Sequence, residues 1–263
     1  MKIHIITLGK GQIRGNTPWP ESLIIGLKKH GETVTVTRNK NLKADLNIIW
    51  GITSVHYKKL RAKNKPVLVV EQGFLGNRKE WTALGFNGLN GLASYHTDNV
   101  SDDRWNKYWK SGMKPWNPKG DYTLIMGQVP SDSSLYGYDI YQWASKVASQ
   151  LKGEVYFRDH PVFEAGSRLQ GIPLLKGSLE DALSGAKALV TYSSNSAVDA
   201  VYNGKPTLSY HEGSMAWDVT SHDITQPLYT GDREEWGKKL SYCQWLPEEL
   251  ESGVAWEHLK QFM

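Results

Sequence analysis

Short β-branched runs alternate with helix-length polar stretches twice over, on either side of a long break rich in glycine and tryptophan, and together these features predict an α/β chain of two parallel-sheet halves. The runs are four to seven residues long with little in-and-out alternation, as expected of strands buried on both faces. At 263 residues with 40% hydrophobic side chains, the chain can bury one large core or two small ones.

The first series predicts strand 2–8, helix 21–30, strands 33–37 and 46–50, helix 54–62 and strand 67–71. Residues 85–120 break the rhythm with Gly85, Gly88, Gly91, Pro115 and Pro118 among several tryptophans, and they predict a long, partly functional connection. The second series predicts strand 122–127, helix 138–151, strand 155–158, helix 179–184, strand 188–192, helix 196–202 and strand 207–210. The boundary is placed near residue 120, giving halves 1–120 and 121–263, with helices at 234–240 and 256–262 packing back on one or both. Sheets of this kind hold ligands beyond the carboxyl ends of their strands. No internal repeat is visible.

Composition and motifs exclude several classes. Cys243 is the only cysteine, so no internal disulfide forms and a reducing compartment is the simpler expectation. No run approaches the ~20 apolar residues of a membrane span. The start, MKIHIITLGKG, reads as a strand entering a glycine turn rather than a signal peptide, so a cytoplasmic protein without membrane insertion is expected. There is no GxxxxGK[ST], HExxH, CxxC or GxSxG, and Gly9-Lys10-Gly11 is too short for a dinucleotide fingerprint. The net charge of +4 is uneven: residues 1–120 hold 20 Lys and Arg against 8 Asp and Glu, residues 121–263 hold 11 against 19. A first half at +12 and a second at −8 suggest that the first faces something anionic; solvated lysines on surface helices are the other reading.

Four segments sit at predicted strand ends. Glu71, followed by Gln72 and Gly73, can project a carboxylate as general acid or base, or cap the next helix. Gln128 opens a turn in which Asp132 is either a cap or a catalytic carboxylate, and Ser133 or Ser134 offers an anion-binding hydroxyl. Arg158 and His160, two apart on an extended strand and stopped by Pro161, can meet a phosphate together. Ser193, Ser194 and Asn195 precede a helix, as a phosphate site or as a plain cap.

In this order the segments resemble bacterial capsule-type glycosyltransferases with two Rossmann-like halves, above all the retaining β-Kdo transferases and more distantly the bacterial sialyltransferases. The matching residues are Glu71-x-Gly73-Phe74-Leu75, Gln128-x4-Ser133-Ser134 with Asp132 inside it, Arg158-x-His160-Pro161 and Ser193-Ser194. A further stretch from Asn203-Gly204-Lys205-Pro206 through Tyr210 to Ala216-Trp217-Asp218 is also similar, and the likeness spans roughly 65–225. The resemblance implies a GT-B-like fold, two Rossmann-like domains facing across a cleft. It implies Glu71 as acid/base, Asp132 as nucleophile, and His160, Ser193 and Ser194, with Arg158 beside them, as ligands of the donor's phosphate. Gln128, Ser134, Gly73 and Asn195 would support the donor site. Arg158 where lysine is common, and Gln72 where an acid is frequent, depart from the pattern and bear on the identity of the donor sugar.

The expected reaction is metal-independent transfer from a CMP- or UDP-linked sugar, with no cofactor beyond that co-substrate. The basic first half, with Lys58, Lys59 and Arg61 and the tryptophans Trp19, Trp50, Trp81, Trp105, Trp109 and Trp116, has the footprint of nucleic-acid binding. The favoured acceptor is therefore DNA carrying hydroxymethylated pyrimidines, bound through Lys58, Lys59, Arg61 and Trp105, as for a phage enzyme in its host's cytoplasm; a capsule or surface glycan with a Kdo-like donor is the alternative. A non-catalytic nucleotide-sugar binding module and a two-domain epimerase are the remaining readings.

Overall fold

The computed structural model describes residues 1–7, 19–38, 43–163, 169, 171–261 and 263. Leu8, the Gly9-Lys10-Gly11 turn and Phe262 lie outside the described residues. The chain forms two compact units, Met1–Arg104 with Lys238–Met263, and Trp105–Gly237.

In the first unit, β1 (Lys2–Ile6), β2 (Thr33–Thr37), β3 (Leu46–Trp50) and β4 (Val67–Gln72) pair in parallel. Two strands differ from the all-parallel expectation: β5 (Thr82–Phe86) runs antiparallel to β4, and β10 (Gln244–Trp245) antiparallel to β5, giving the order β10-β5-β4-β3-β1-β2. β5 includes Gly85, which the sequence had assigned to a connection. A Cβ there would lie 2.7 Å from that of Ala93 and 2.8 Å from the Tyr95 ring, so this glycine serves close packing inside a strand. Ile3, Ile5, Leu46, Ile48, Leu68 and Val70 bury one sheet face with α1 (Trp19–Lys29), α8 (Pro247–Ser252) and α9 (Val254–Lys260). Ile6, Ile49, Val67 and Val69 bury the other against Leu60 of α2 (Val55–Ala62). Burial on both faces is why the strands lack alternation.

Arg104 fastens the returning C-terminal segment. Its Nε donates to the Ser241 carbonyl (2.9 Å), its Nη2 to that of Gln244 (2.7 Å), and the guanidinium forms a two-pronged pair with Glu249 while lying 4.1 Å from the Trp245 ring centroid. The carbonyls and carboxylate together satisfy a nearly buried charge.

The second unit holds a parallel sheet of β6 (Tyr122–Met126), β7 (Glu154–Arg158), β8 (Ala186–Thr191) and β9 (Thr207–Ser209) in the order β7-β6-β8-β9. α4 (Ile140–Ala148) packs on the face of Ile125, Phe157 and Val190, while α5 (Leu179–Gly185) and α6 (Ser196–Tyr202) pack on that of Leu124, Met126 and Leu189. Lys205 is buried, its ammonium donating to the carbonyls of Lys119 (3.1 Å), Ser184 (3.3 Å) and Ala186 (2.8 Å), and burial lowers its pKa. This residue of the Asn203-Gly204-Lys205-Pro206 stretch therefore ties loops together.

The units divide at 104/105 and 237/238 rather than near 120. Residues 105–120 join the second unit because Trp105 packs edge-on against Tyr202, the Tyr202 hydroxyl donates to the Trp109 carbonyl (2.6 Å), and Arg233 donates to that of Lys114 (2.7 Å). Redrawn this way, the first unit has 19 basic against 12 acidic residues (+7) and the second 12 against 15 (−3), half the asymmetry the sequence division gave.

The Glu32 carboxylate meets the Lys260 ammonium (3.1 Å), the Met1 ammonium (2.5 Å) and the Trp256 indole N–H (3.2 Å). Burial alone would raise its pKa, but these partners outweigh it and hold the group below its ordinary value. A carboxyl lowered on folding adds stability that is present above its unfolded pKa of about 4.3 and is lost as pH falls through the folded value. Glu32→Gln should therefore destabilise by about 1–3 kcal/mol at pH 7, and its melting temperature should converge on that of the parent below about pH 4. Thermal melts across that range test this.

Candidate functional site

In the first unit, Glu71 stands half-buried near the carboxyl end of β4, paired with Ala83, and its Oε1 lies 3.1 Å from where a Cβ on Gly51 would sit. The turn that follows is held tightly. Gly73 N–H donates to the carbonyls of Arg78 (3.1 Å) and Trp81 (2.8 Å), and a Cβ on Gly73 would lie 2.4 Å from that of Trp81, so only glycine fits. The N–H groups of Phe74 and Leu75 both donate to Oε1 of Gln244 (2.5 and 3.0 Å), a fully buried residue of β10. The sequence reading missed Gln244, because it lies about 170 residues from the turn it serves and in no motif.

The expected acceptor residues do not stand beside Glu71. α2 descends from the carboxyl end of β3 to the amino end of β4 over about 12 Å. Its exposed Lys58 and Lys59 lie along that descent, and Arg61 lies near the amino edge, opposite the edge that carries Glu71. Arg61 is also committed internally, donating to Asn87 Oδ1 (2.9 Å). Trp105 is fully buried against Tyr202, which corrects its assignment as an acceptor contact: an enclosed indole has no free face for a base. Trp19, Trp81 and Trp109 are buried as well, so the stacking surface on which a DNA acceptor rested is largely core.

In the second unit the strand order changes direction at β6, so the crevice that binds ligands in such sheets falls between the carboxyl ends of β6 and β8. Gln128 spans it. Its Nε2 donates to the hydroxyls of Ser134 (3.0 Å) and Ser193 (3.3 Å), and its Oε1 accepts the Ser193 N–H (3.0 Å). The Ser193 hydroxyl donates to the Ser134 carbonyl (2.8 Å), while the Ser134 N–H and hydroxyl both donate to Asp132 Oδ1 (2.8 and 2.7 Å). Asp132 is thus the N-cap of a short 3₁₀ turn (Ser133–Leu135), with Oδ2 unpaired among the described residues. Ser193 and Ser134 are buried with their hydroxyl protons engaged, so Ser193, expected to bind the phosphate, and Ser134, expected to support the donor site, both form the clasp.

Other donors remain. Ser194 Oγ accepts from Ser196 N–H (3.3 Å) and Ser196 Oγ (3.0 Å), leaving its own proton without an acceptor among the described residues. Asn195 is the residue before α6 and makes no side-chain cap. The side chain of Arg158, a residue level with Met126 as Thr191 is, has no ion-pair or hydrogen-bond partner among the described residues. Two strand spacings separate the backbones of Arg158 and Thr191 by about 9–10 Å. β7 ends at Arg158, before His160; the His160 ring accepts the Val162 N–H at Nδ1 (3.3 Å), so the neutral ring carries its proton on Nε2.

The same edge carries an aromatic stack. Tyr136 lies on His211 (centroids 4.5 Å, 21°), His211 on Tyr192 (5.3 Å, 27°) and Tyr192 on Tyr138 (5.3 Å, 21°). Burial raises the pKa of Tyr192 and of neighbouring Tyr210, keeping both neutral. Among the described residues, no group of three His, Cys, Asp or Glu side chains is placed to hold a metal ion, and no helix is long and apolar enough to cross a membrane.

With this geometry in place, the chain is similar to two solved structures of KpsC from Thermosulfurimonas dismutans. One, a beta Kdo 2,7 transferase, matches with a TM-score of 0.62 at 15% identity over 99% of this chain and 100% of that chain. The other, a beta Kdo 2,4 transferase, gives 0.62 at 14% identity over 91% of this chain and 90% of its own. The fold is shared. Each unit is Rossmann-like, and the chain has the GT-B-like fold of these transferases. No family model matches the sequence, and no curated protein matches it either.

Gln128→Leu removes the amide that satisfies Ser193 N–H and two hydroxyls. It should cost about 1–3 kcal/mol for the polar groups left unpaired, read as a lowered denaturant midpoint. An unchanged midpoint would show that the clasp does not hold the two strand tips.

Proposed function

We propose that this protein transfers a glycosyl group from a nucleotide-sugar donor to an acceptor hydroxyl, with the donor's phosphate at the carboxyl edge of the second unit. The observation that carries this reading is the placement of the Arg158 guanidinium and the Ser194 hydroxyl, neither proton donor engaged among the described residues, on either side of the β6 tip at the switch point. A leaving phosphate gains negative charge, which a cation and oriented donors stabilise. His160, donating from Nε2, is the third proposed ligand. Asp132 would attack the anomeric carbon as the bond to the phosphate oxygen breaks, the phosphate leaving with the electron pair. Glu71 would then take the proton of the acceptor hydroxyl as that oxygen displaces Asp132, a double displacement that retains configuration. The unpaired Oδ2 of Asp132 and the strand-end position of Glu71 support these roles.

The reading favours a Kdo-like acidic donor, since the two similar structures are beta Kdo transferases, and a glycan as acceptor. The +7 charge of the first unit supports an anionic acceptor, while the burial of Trp105 and its neighbours takes away the argument that singled out DNA. We place the reaction in the cytoplasm and without a metal requirement.

Glu71→Gln and Asp132→Asn should each lower turnover by a factor of roughly 10² or more and leave the melting temperature near that of the parent. Near-normal turnover in either variant would remove that residue from the chemistry.

Labelled CMP-, UDP- and GDP-sugars, offered with oligosaccharide acceptors and with hydroxymethylated DNA, should transfer label to oligosaccharide, and EDTA should not change the rate. Label in DNA alone would restore the nucleic-acid reading. A rate lost to EDTA and regained with Mg²⁺ would overturn metal independence.

A further inference from the structure

Tyr136 and Tyr138 flank Gly137, and the backbone at Tyr136 (φ 50°) and Gly137 (φ 86°) is left-handed at both positions. A left-handed tyrosine is uncommon, and here the two bends turn the flanking rings to opposite ends of the stack through His211 and Tyr192. Both ends are exposed, Tyr136 at 40%, but Tyr138 is the one that lines a groove. Tyr192 covers one face of its ring, yet the residue is 49% exposed. This groove, of about 680 Å³, is lined as well by Pro130, Asp139, Gln142 and Ser145. The groove thus has aromatic lining from exposed Tyr138 and buried Tyr141, an amide from Gln142 and a hydroxyl from Ser145 one turn further along α4. It opens beside Pro130, in the turn leaving β6 that also carries Gln128 and Ser134 of the clasp.

These features match a heteroaromatic ring. A planar base needs a π-face to stack on and a donor–acceptor pair to read its edge; Tyr138, stacked on Tyr192 through one face, keeps an exposed surface, and the Gln142 amide has no side-chain partner among the described residues. We propose that the Tyr138 groove binds the nucleobase of the donor, with the ring stacked on Tyr138 and its edge read by Gln142. This rests on the nucleotide-sugar reading above and adds where the base goes and which residues select it. The rest of the stack makes Tyr138 a rigid platform: Gly213 N–H donates to His211 Nδ1 (2.9 Å), locking the imidazole between Tyr136 and Tyr192.

Calorimetric titration of the whole chain with CMP, UMP and GMP, and with ribose 5-phosphate as a probe lacking the base, separates the possibilities. The expected result is that one nucleotide binds at least about tenfold more tightly than ribose 5-phosphate, a margin within the range of base–aromatic stacking. Tyr138→Ala should erase that margin without changing ribose 5-phosphate binding, Tyr138→Phe should keep it, and Gln142→Ala should flatten the preference among the bases. Equal affinity of the parent for nucleotide and ribose 5-phosphate, or a margin that survives Tyr138→Ala, overturns the base site and leaves the phosphate reading standing. If the parent binds neither nucleotide nor ribose 5-phosphate, the phosphate reading falls and the base site with it. If Tyr138→Ala fails to fold, Gln142→Ala decides: a base preference it leaves unchanged overturns the site.

Discussion

A turn leaving the carboxyl end of a buried strand carries backbone N–H groups that the sheet no longer satisfies, and in each unit one buried glutamine amide takes them up. Gln244 accepts from Phe74 and Leu75 after β4; Gln128 accepts from Ser193 after β8 while donating to two serine hydroxyls. Both amides are shielded from water, so each bond is made where leaving the group unpaired would cost most. The positions of Glu71 and Asp132 follow from these clasps: one carboxylate lies just before the turn held by Gln244, the other within the turn held by Gln128. Arg104 matters for the same reason, since it fixes the segment that delivers Gln244.

The clasps also sort the polar groups of the second unit's edge. A hydroxyl whose proton is engaged, as in Ser193 or Ser134, holds the scaffold; one whose proton is open, as in Ser194, can act on a ligand. Adjacent serines in one short motif therefore do different work, and the difference is the Ser134 carbonyl that takes the Ser193 proton. Asp132 combines the two, with one oxygen in the cap and the other open.

Much of this was legible in the sequence, for identifiable reasons. The bounds of β3 were legible because a strand buried on both faces leaves a nearly uninterrupted apolar run, and those of the edge strand β2 because its Thr-Val alternation is β-branched throughout. The four candidate segments were found because strand ends are where such sheets place polar residues. β5 was missed because Gly85 punctuates it, and β10 because two residues carry no period. The return of Lys238–Met263 to the first unit was not specified, since it depends on the Arg104 guanidinium meeting two carbonyls and a carboxylate, which no local pattern encodes. The aromatic stack was missed because Tyr136, Tyr138, Tyr192 and His211 come from three loops whose convergence is a property of strand order.

Tryptophan and lysine were where residue type misled most, and the reason is physical. Both are amphipathic, so their presence near one another fits a nucleic-acid surface and an ordinary interior equally well until burial is known. Trp105 packs on Tyr202, Trp19 on Trp50 and Lys205 on three carbonyls, while the exposed Lys58 and Lys59 run down a helix away from the edge of Glu71. Charge counted along a sequence measures neither face nor edge, and a steering field at a site depends on both. The positive charge of the first unit can still favour an anionic acceptor at long range, but close recognition of that acceptor has to come from groups on the carboxyl edge, where the candidate base stands.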